Sequence, residues 1–244
     1  MDTLKQLVRY ALAIGAMVPL LGMALLVGPF SQRQAWRLVR SWNRLVLALF
    51  GIQVDVRYDG NAEALRQGGI IVGLTQQSLI DPTVGFASWD LPVKGVWNIE
   101  YALIPFVGWV SVCLGWVIIR QNPAQAKRQL GRAAAYARAG GLVYLSAEGR
   151  RSDDGGLSPY KKGPVVLAIQ AQAPIHPVYI AGSRACLAPG QWKIRPGRIV
   201  IHYTDPLPTA GLGYDDREAL LLRLRAVGEA THRRWSGKGG RARG

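Results

Sequence analysis

Between Ala11 and Phe30 the chain runs for twenty residues without a charged side chain. Wound as an α-helix, such a run measures about 30 Å, the thickness of a bilayer's hydrocarbon core. A fold for this chain must either bury that rod or give it lipid. Lys5 and Arg9 precede the run, and Arg33, Arg37, Arg40 and Arg44 follow it. A secretory signal fits poorly, because no small-x-small cleavage site ends the run and the basic stretch beyond it would hinder export. Positive charge on both flanks leaves the direction of a crossing open. Pro19, with Gly15 and Gly22 on either side, marks where the run would break into two short pieces that dip in and return. The next segment, Gln32 to Phe50, is helical in period: Trp36, Val39, Trp42 and Val46 share one face, and the four arginines line another. Tryptophan beside arginine suits the headgroup layer. Residues 1–50 are therefore expected to form a helical anchor on the cytoplasmic face of the inner (cell) membrane, with a single crossing as the alternative.

From about Gly51 the pattern becomes alternating strand and helix. Apolar strands are expected at Gly69–Leu74, Val93–Trp97, Val117–Ile119, Leu142–Leu145, Ile175–Ile180 and Ile199–Tyr203. Helices are expected from Pro123, capped by Asn122, to Gly140-Gly141; from Gly163 to Gln172; and from Asp215 to Trp235. This alternation argues for an α/β domain over 51–235, a mainly parallel or mixed sheet flanked by helices, with functional residues at strand ends. Residues 236–244, Gly-rich and basic, read as a disordered tail.

Charge narrows the partners. Thirty Lys and Arg against fifteen Asp and Glu give a formal +15, a field that attracts phosphate on anionic lipid, nucleic acid or a small substrate. No stacking-aromatic motif, helix-turn-helix punctuation or zinc spacing supports nucleic acid. The two cysteines, Cys113 and Cys186, lack CxxC spacing, so neither a disulfide framework nor a metal site is expected.

Four stretches gather chemistry at strand ends: Leu74-Thr-Gln-Gln-Ser-Leu-Ile-Asp-Pro82; Gly115-Trp-Val-Ile-Ile-Arg120; Ser146-Ala-Glu-Gly-Arg-Arg-Ser152, trailed by Tyr160-Lys-Lys-Gly163; and Ala173-Pro-Ile-His-Pro-Val178. In order and spacing they resemble the four blocks of the glycerolipid acyltransferase family that includes 1-acyl-glycerol-3-phosphate acyltransferases. Those blocks read Asn-His-x-Ser-x-x-Asp, Gly-x-x-x-x-Arg, Phe-Pro-Glu-Gly-Thr-Arg-Ser with a later Phe-Lys-x-Gly, and an apolar Pro block. Glu100, Pro105 and Gly108 echo the run between the first two, whereas Lys94 is out of register.

The resemblance implies transfer of an acyl group from a thioester on coenzyme A or acyl carrier protein to a lysophospholipid hydroxyl, in phospholipid biosynthesis and with no bound cofactor. Membrane lipid, the acyl carrier and an anionic phospholipid surface are the implied partners. In the family a His takes the hydroxyl proton and an Asp five residues later orients it. Asp81 stands at the Asp position, but Gln76 stands at that of the His. An amide holds a hydroxyl by hydrogen bonds and cannot take its proton, and losing a general base costs ~10²–10⁴-fold in rate. Arg120, Glu148, Gly149 and Arg151 match the family's substrate-binding positions, the arginines as phosphate forks. Thr75, Gln76, Ser146, Ala147 and Arg150 depart from the pattern together, which reads as a divergent natural branch. His176 and Asp81 are the candidates for a replacement base. The alternative function is a catalytically impaired member that binds lipid or acts as a scaffold.

Overall fold

A computed structural model of the chain describes residues 3–60, 62–102, 108, 115–119, 121–149 and 155–236. Helices α1 (Thr3–Val27) and α2 (Gln32–Leu49) form an antiparallel pair. Leu21 and Ala24 of α1 pack on Ala35 and Val39 of α2, and the Trp42 indole N–H donates to the Ala13 carbonyl at 3.0 Å. The break expected at Pro19 does not occur, because α1 runs through it. A proline inside a helix removes one hydrogen bond, whereas Pro29 biases Gly28 out of the helical region. Ser31 then caps α2 by accepting from the Gln34 N–H. The reversal falls at residues 28–31.

The domain proper comprises β1 (Ile52–Tyr58), β2 (Gly69–Gly73), α3 (Asp81–Ser88), β3 (Val93–Asn98), β4 (Gly115–Ile118), α4 (Pro123–Arg138), β5 (Leu142–Ser146), α5 (Gly163–Ala171), β6 (Ile175–Ala181), β7 (Gly197–Tyr203) and α6 (Arg217–Ser236). The strands make one sheet in the order β1-β7-β6-β2-β5-β3-β4. Every neighbouring pair is parallel except β6 and β7. Strands β2 to β6 therefore end on one edge, and β1 and β7 run the other way.

Strand alternation sorts the core into two layers. Ile70, Val72, Val143, Leu145 and Val200 face α4, α5 and α6. Ile71, Leu142, Val178, Ile199 and Ile201 face α2 and α3. Helix α2 thus lies on the opposite side of the sheet from α4. The strand and helix positions read from the sequence agree to within a few residues. Two elements went unforeseen. Strand β1 carries Asp55 and Arg57 at the sheet's edge, and α3 begins on Asp-Pro and contains Gly85, both ordinary loop signals.

Candidate active site

The common edge where β2, β3, β4 and β5 end opens into a cavity of about 530 Å³. That volume suits a small-molecule or lipid-headgroup site. Gln76 and Asp81 enter from the segment after β2, Asn98 and Ile118 from the ends of β3 and β4, and Ser146, Glu148 and Gly149 from the segment after β5. Lys161, Gly163 and Pro164 line the side where α5 begins, and Trp97, Leu130 and Tyr144 supply an apolar wall.

The segment holding Gln76 is pinned at successive points. The Leu74 N–H donates to Val178 at 2.8 Å, and the Leu74 carbonyl accepts from the Tyr160 hydroxyl at 2.8 Å. The Gln76 N–H donates to Glu148 Oε2 at 2.8 Å. Asp81, itself buried, accepts at Oδ2 from the N–H groups of Gln77 (2.8 Å) and Ser78 (2.9 Å). The Ser78 hydroxyl closes the turn on the Leu187 carbonyl at 2.7 Å. A carboxylate at this position therefore shapes the loop that presents Gln76 as well as facing the cavity. The Gln76 side-chain oxygen has no hydrogen-bond partner among the described residues.

Glu148 ties the two catalytic-edge segments together, taking the Gln76 N–H on one oxygen and the Ser158 N–H on the other. Burial pushes its carboxyl above the usual carboxylate range. The N–H groups of Ser158 and Gln76 and the nearby Arg225 pull it down without cancelling that rise, and Asp81 adds to it. Gly149 adopts φ +70°, a conformation that a side chain would strain, and this turn delivers Glu148 to its partners. The α5 N-terminus, at Gly163 and Pro164, lines the cavity with the positive end of its backbone dipole, and Lys161 adds a cation beside it.

Of the residues predicted from sequence, the fold brings Gln76, Asp81, Glu148 and Gly149 into one cavity. Arg120 and Arg151 lie outside the described residues, as do Pro105 and Cys113. Lys94, left uncounted, stands 4.4 Å from the centre of the Tyr136 ring and 5.6 Å from that of Trp116, away from the cavity lining. Sequence reasoning missed Lys161, which sat in view within Tyr160-Lys-Lys-Gly163, and Arg225. The latter carried no local signal: it reaches from α6 to the Ser158 carbonyl at 2.6 Å and lies over the Tyr160 ring.

The histidines settle one alternative. His176 is paired in register with Ile71 inside β2, whereas Gln76 follows the C-terminal end of that strand. Its Nε2 bonds to the Gly68 carbonyl at 2.9 Å, on the far edge of the sheet. His202 sits between the Trp235 indole and Asp59, and His232 bonds to the Tyr179 hydroxyl. None of the three lines the cavity. A relocated imidazole base at His176 is excluded by its position.

Residues 55–181, which carry the whole cavity edge from β2 to β6, match the Acyltransferase family model. The chain belongs to this family. It is 31% identical over 169 residues to a 1-acyl-sn-glycerol-3-phosphate acyltransferase of Limnanthes alba, covering 68% of this chain and 58% of that relative. A putative 1-acyl-sn-glycerol-3-phosphate acyltransferase of Caenorhabditis elegans is 28% identical over 170 residues, 68% of this chain and 60% of its own. The chain thus spans somewhat under two thirds of these relatives' length. The crystal structure of the 1-acyl-sn-glycerophosphate acyltransferase PlsC from Thermotoga maritima superposes with a TM-score of 0.73 at 22% identity, covering 93% of this chain and 94% of that one. At that identity the likeness is one of fold.

Proposed function

We propose that this acyltransferase-family chain moves an acyl group from a thioester, on coenzyme A or acyl carrier protein, to the free hydroxyl of a lysophospholipid such as 1-acyl-glycerol-3-phosphate, at a membrane surface. The observation that carries this reading is the cavity itself. It has a polar end built from Gln76, Asp81, Glu148 and Lys161, and an apolar wall of Trp97, Leu130 and Tyr144. The cation and the α5 N-terminus favour a phosphate at the polar end, and the wall favours an acyl chain. In the reaction the acceptor oxygen attacks the thioester carbonyl, a C–O ester bond forms, the C–S bond breaks, and the hydroxyl proton ends on the departing thiol. Gln76 holds the acceptor by hydrogen bonds and leaves proton removal to another group. The anchor supports a membrane site, since α1 is long and apolar enough to cross a bilayer and only 17% of its most apolar stretch is buried.

A second reading, a lipid-binding member with little turnover, is favoured by one observation: an amide occupies the base position and the described histidines lie elsewhere. The two part on one experiment. Purified full-length protein in detergent is supplied with both thioester carriers and 1-acyl-glycerol-3-phosphate, as wild type and as Gln76→His. Transfer that rises in the variant supports the enzyme. Binding of the lysolipid with no transfer by either form supports the second reading.

A further inference from the structure

Helix α6 docks on the domain through Leu220, Leu224 and Gly228, which recur every four residues and share one face. Arg225 follows Leu224 and stands at the shoulder of that face, half-buried, beside the segment that leads into α5. Its guanidinium makes contacts on every side. Nη1 donates to the Ser158 carbonyl at 2.6 Å and Nη2 to the Leu157 carbonyl at 3.5 Å. Nε donates to Glu229 Oε1 at 2.8 Å, one turn along the helix. The guanidinium carbon lies 4.9 Å from the centre of the Tyr160 ring. A planar fork can span two carbonyls and stack on a ring at once, which an ammonium cannot.

Both residues at the foot of this fork lead to the loop that carries Gln76. The Ser158 N–H donates to Glu148 Oε1, and Glu148 Oε2 accepts the Gln76 N–H at 2.8 Å. The Tyr160 hydroxyl donates to the Leu74 carbonyl at 2.8 Å. Leu74 and Gln76 are thus held by two struts that start two residues apart, with one guanidinium under both. Packing alone does not select this side chain. The apolar face docks α6, and an unbranched apolar stem at position 225 covers the Tyr160 ring too. What the fork adds is the pair of bonds to the Leu157 and Ser158 carbonyls.

We propose that Arg225 is a positioning residue for acyl transfer: it fixes the 157–160 segment, from which the Ser158–Glu148 and Tyr160–Leu74 struts hold Gln76 against the acceptor hydroxyl. This rests on the acyl-transfer reading and adds to it a residue that does not line the cavity. The charge of Arg225 has a further effect. Glu148 accepts two N–H groups best as a carboxylate, yet burial and the neighbouring Asp81 push its carboxyl up, and Arg225 pulls it down together with those N–H groups. The other groups that face it, Tyr160 from the same segment and Tyr179 from β6, stay neutral, because burial raises both hydroxyls. Loss of the Arg225 charge therefore raises Glu148 further, and the acid limb of the rate profile moves to higher pH.

The test compares the full-length wild type in detergent with Arg225→Met, which keeps the stem and removes the fork, and with Arg225→Lys. Transfer from acyl-coenzyme A to 1-acyl-glycerol-3-phosphate is measured against pH, and amide exchange is read by mass spectrometry. Arg225→Met is expected to lose ~10²-fold in kcat and to shift the acid limb upward. Amides of residues 74–76 and 158 should exchange about tenfold faster or more, while those of residues 70–72 and Tm stay near the wild type. Arg225→Lys, which keeps the charge but not the fork, should fall between the two in kcat and retain the wild-type acid limb. Exchange that rises across β2 as well, with a lower Tm and wild-type kcat per folded molecule, marks Arg225 as an ordinary stabilising residue and overturns the proposal. So does unchanged exchange over residues 74–76, or a local rise there that leaves kcat at the wild-type level. Locally faster exchange in the variant of a protein that shows no transfer in any form leaves the brace standing and overturns only the catalytic reading.

Discussion

Gln76 shares its cavity with two carboxylates, and no histidine lies among the described lining residues. An imidazole restored at that position would sit on a segment already held at Leu74, Gln76 and Ser78, so Gln76→His is expected to raise transfer by ~10²–10⁴-fold, read as kcat with saturating lysolipid. Asp81 separates chemistry from architecture. Asp81→Ala strands the buried N–H groups of Gln77 and Ser78 and should cost about 2 kcal/mol or more, visible as a lower Tm. Asp81→Asn keeps an oxygen for both and should melt near the wild type while losing activity. The far-edge histidine has its own signature. Burial holds His176 below its usual range, only partly offset by the bond to Gly68. A group with a depressed folded value is protonated more readily in the unfolded chain, so stability is full above pH ~6.5 and falls as pH drops toward the folded value. His176→Gln should flatten that fall in pH-dependent denaturation curves, with transfer at neutral pH unchanged.

Helix α6 shows how an element far from the cavity sets its geometry. A Cβ added to Gly228 would lie 2.0 Å from the Tyr160 hydroxyl, which holds the Leu74 carbonyl. Gly228→Ala should cost about 1–3 kcal/mol through overpacking and lower kcat as well, because the displaced tyrosine releases the strand end that carries Gln76. A mutation that only destabilised would lower Tm and leave kcat per folded molecule intact. Helix α1 makes a different demand. Leu12 is 54% exposed and Val18 48%, with no protein neighbour to cover that face among the described residues. Leu12→Asp with Val18→Asp should weaken vesicle binding at least tenfold, since each buried aliphatic side chain contributes about 1.5–3 kcal/mol. Co-sedimentation with liposomes reads this directly.

For the molecule as a whole, what could be read in advance was what local chemistry writes. Runs such as Ile70-Ile71-Val72 announce buried strands, and Asn122-Pro123 announces a helix start that the structure confirms, with the Asn122 side chain accepting the Gln125 N–H. The reversed polarity of β1 and β7 was not legible, because nothing in Ile52–Tyr58 or Gly197–Tyr203 encodes direction; it follows from the α2 end and from closure against β6. The cavity was half legible. Gln76, Asp81, Glu148 and Gly149 sit in short motifs, whereas Lys161 needed the register of the segment beside Ala147 and Arg225 needed the docking of α6.

The amide of Gln6, fully buried, donates to the carbonyl of Ile194, 188 residues further on. At translation rates of about 5–20 residues per second, roughly 10–40 s separate the emergence of these two partners from the ribosome. Throughout that interval the Gln6 amide lacks this acceptor, and α2 is the packing partner within reach of the first helix. The contact therefore forms only when most of the polypeptide has been made, and it ties the first helix to the last third of the chain.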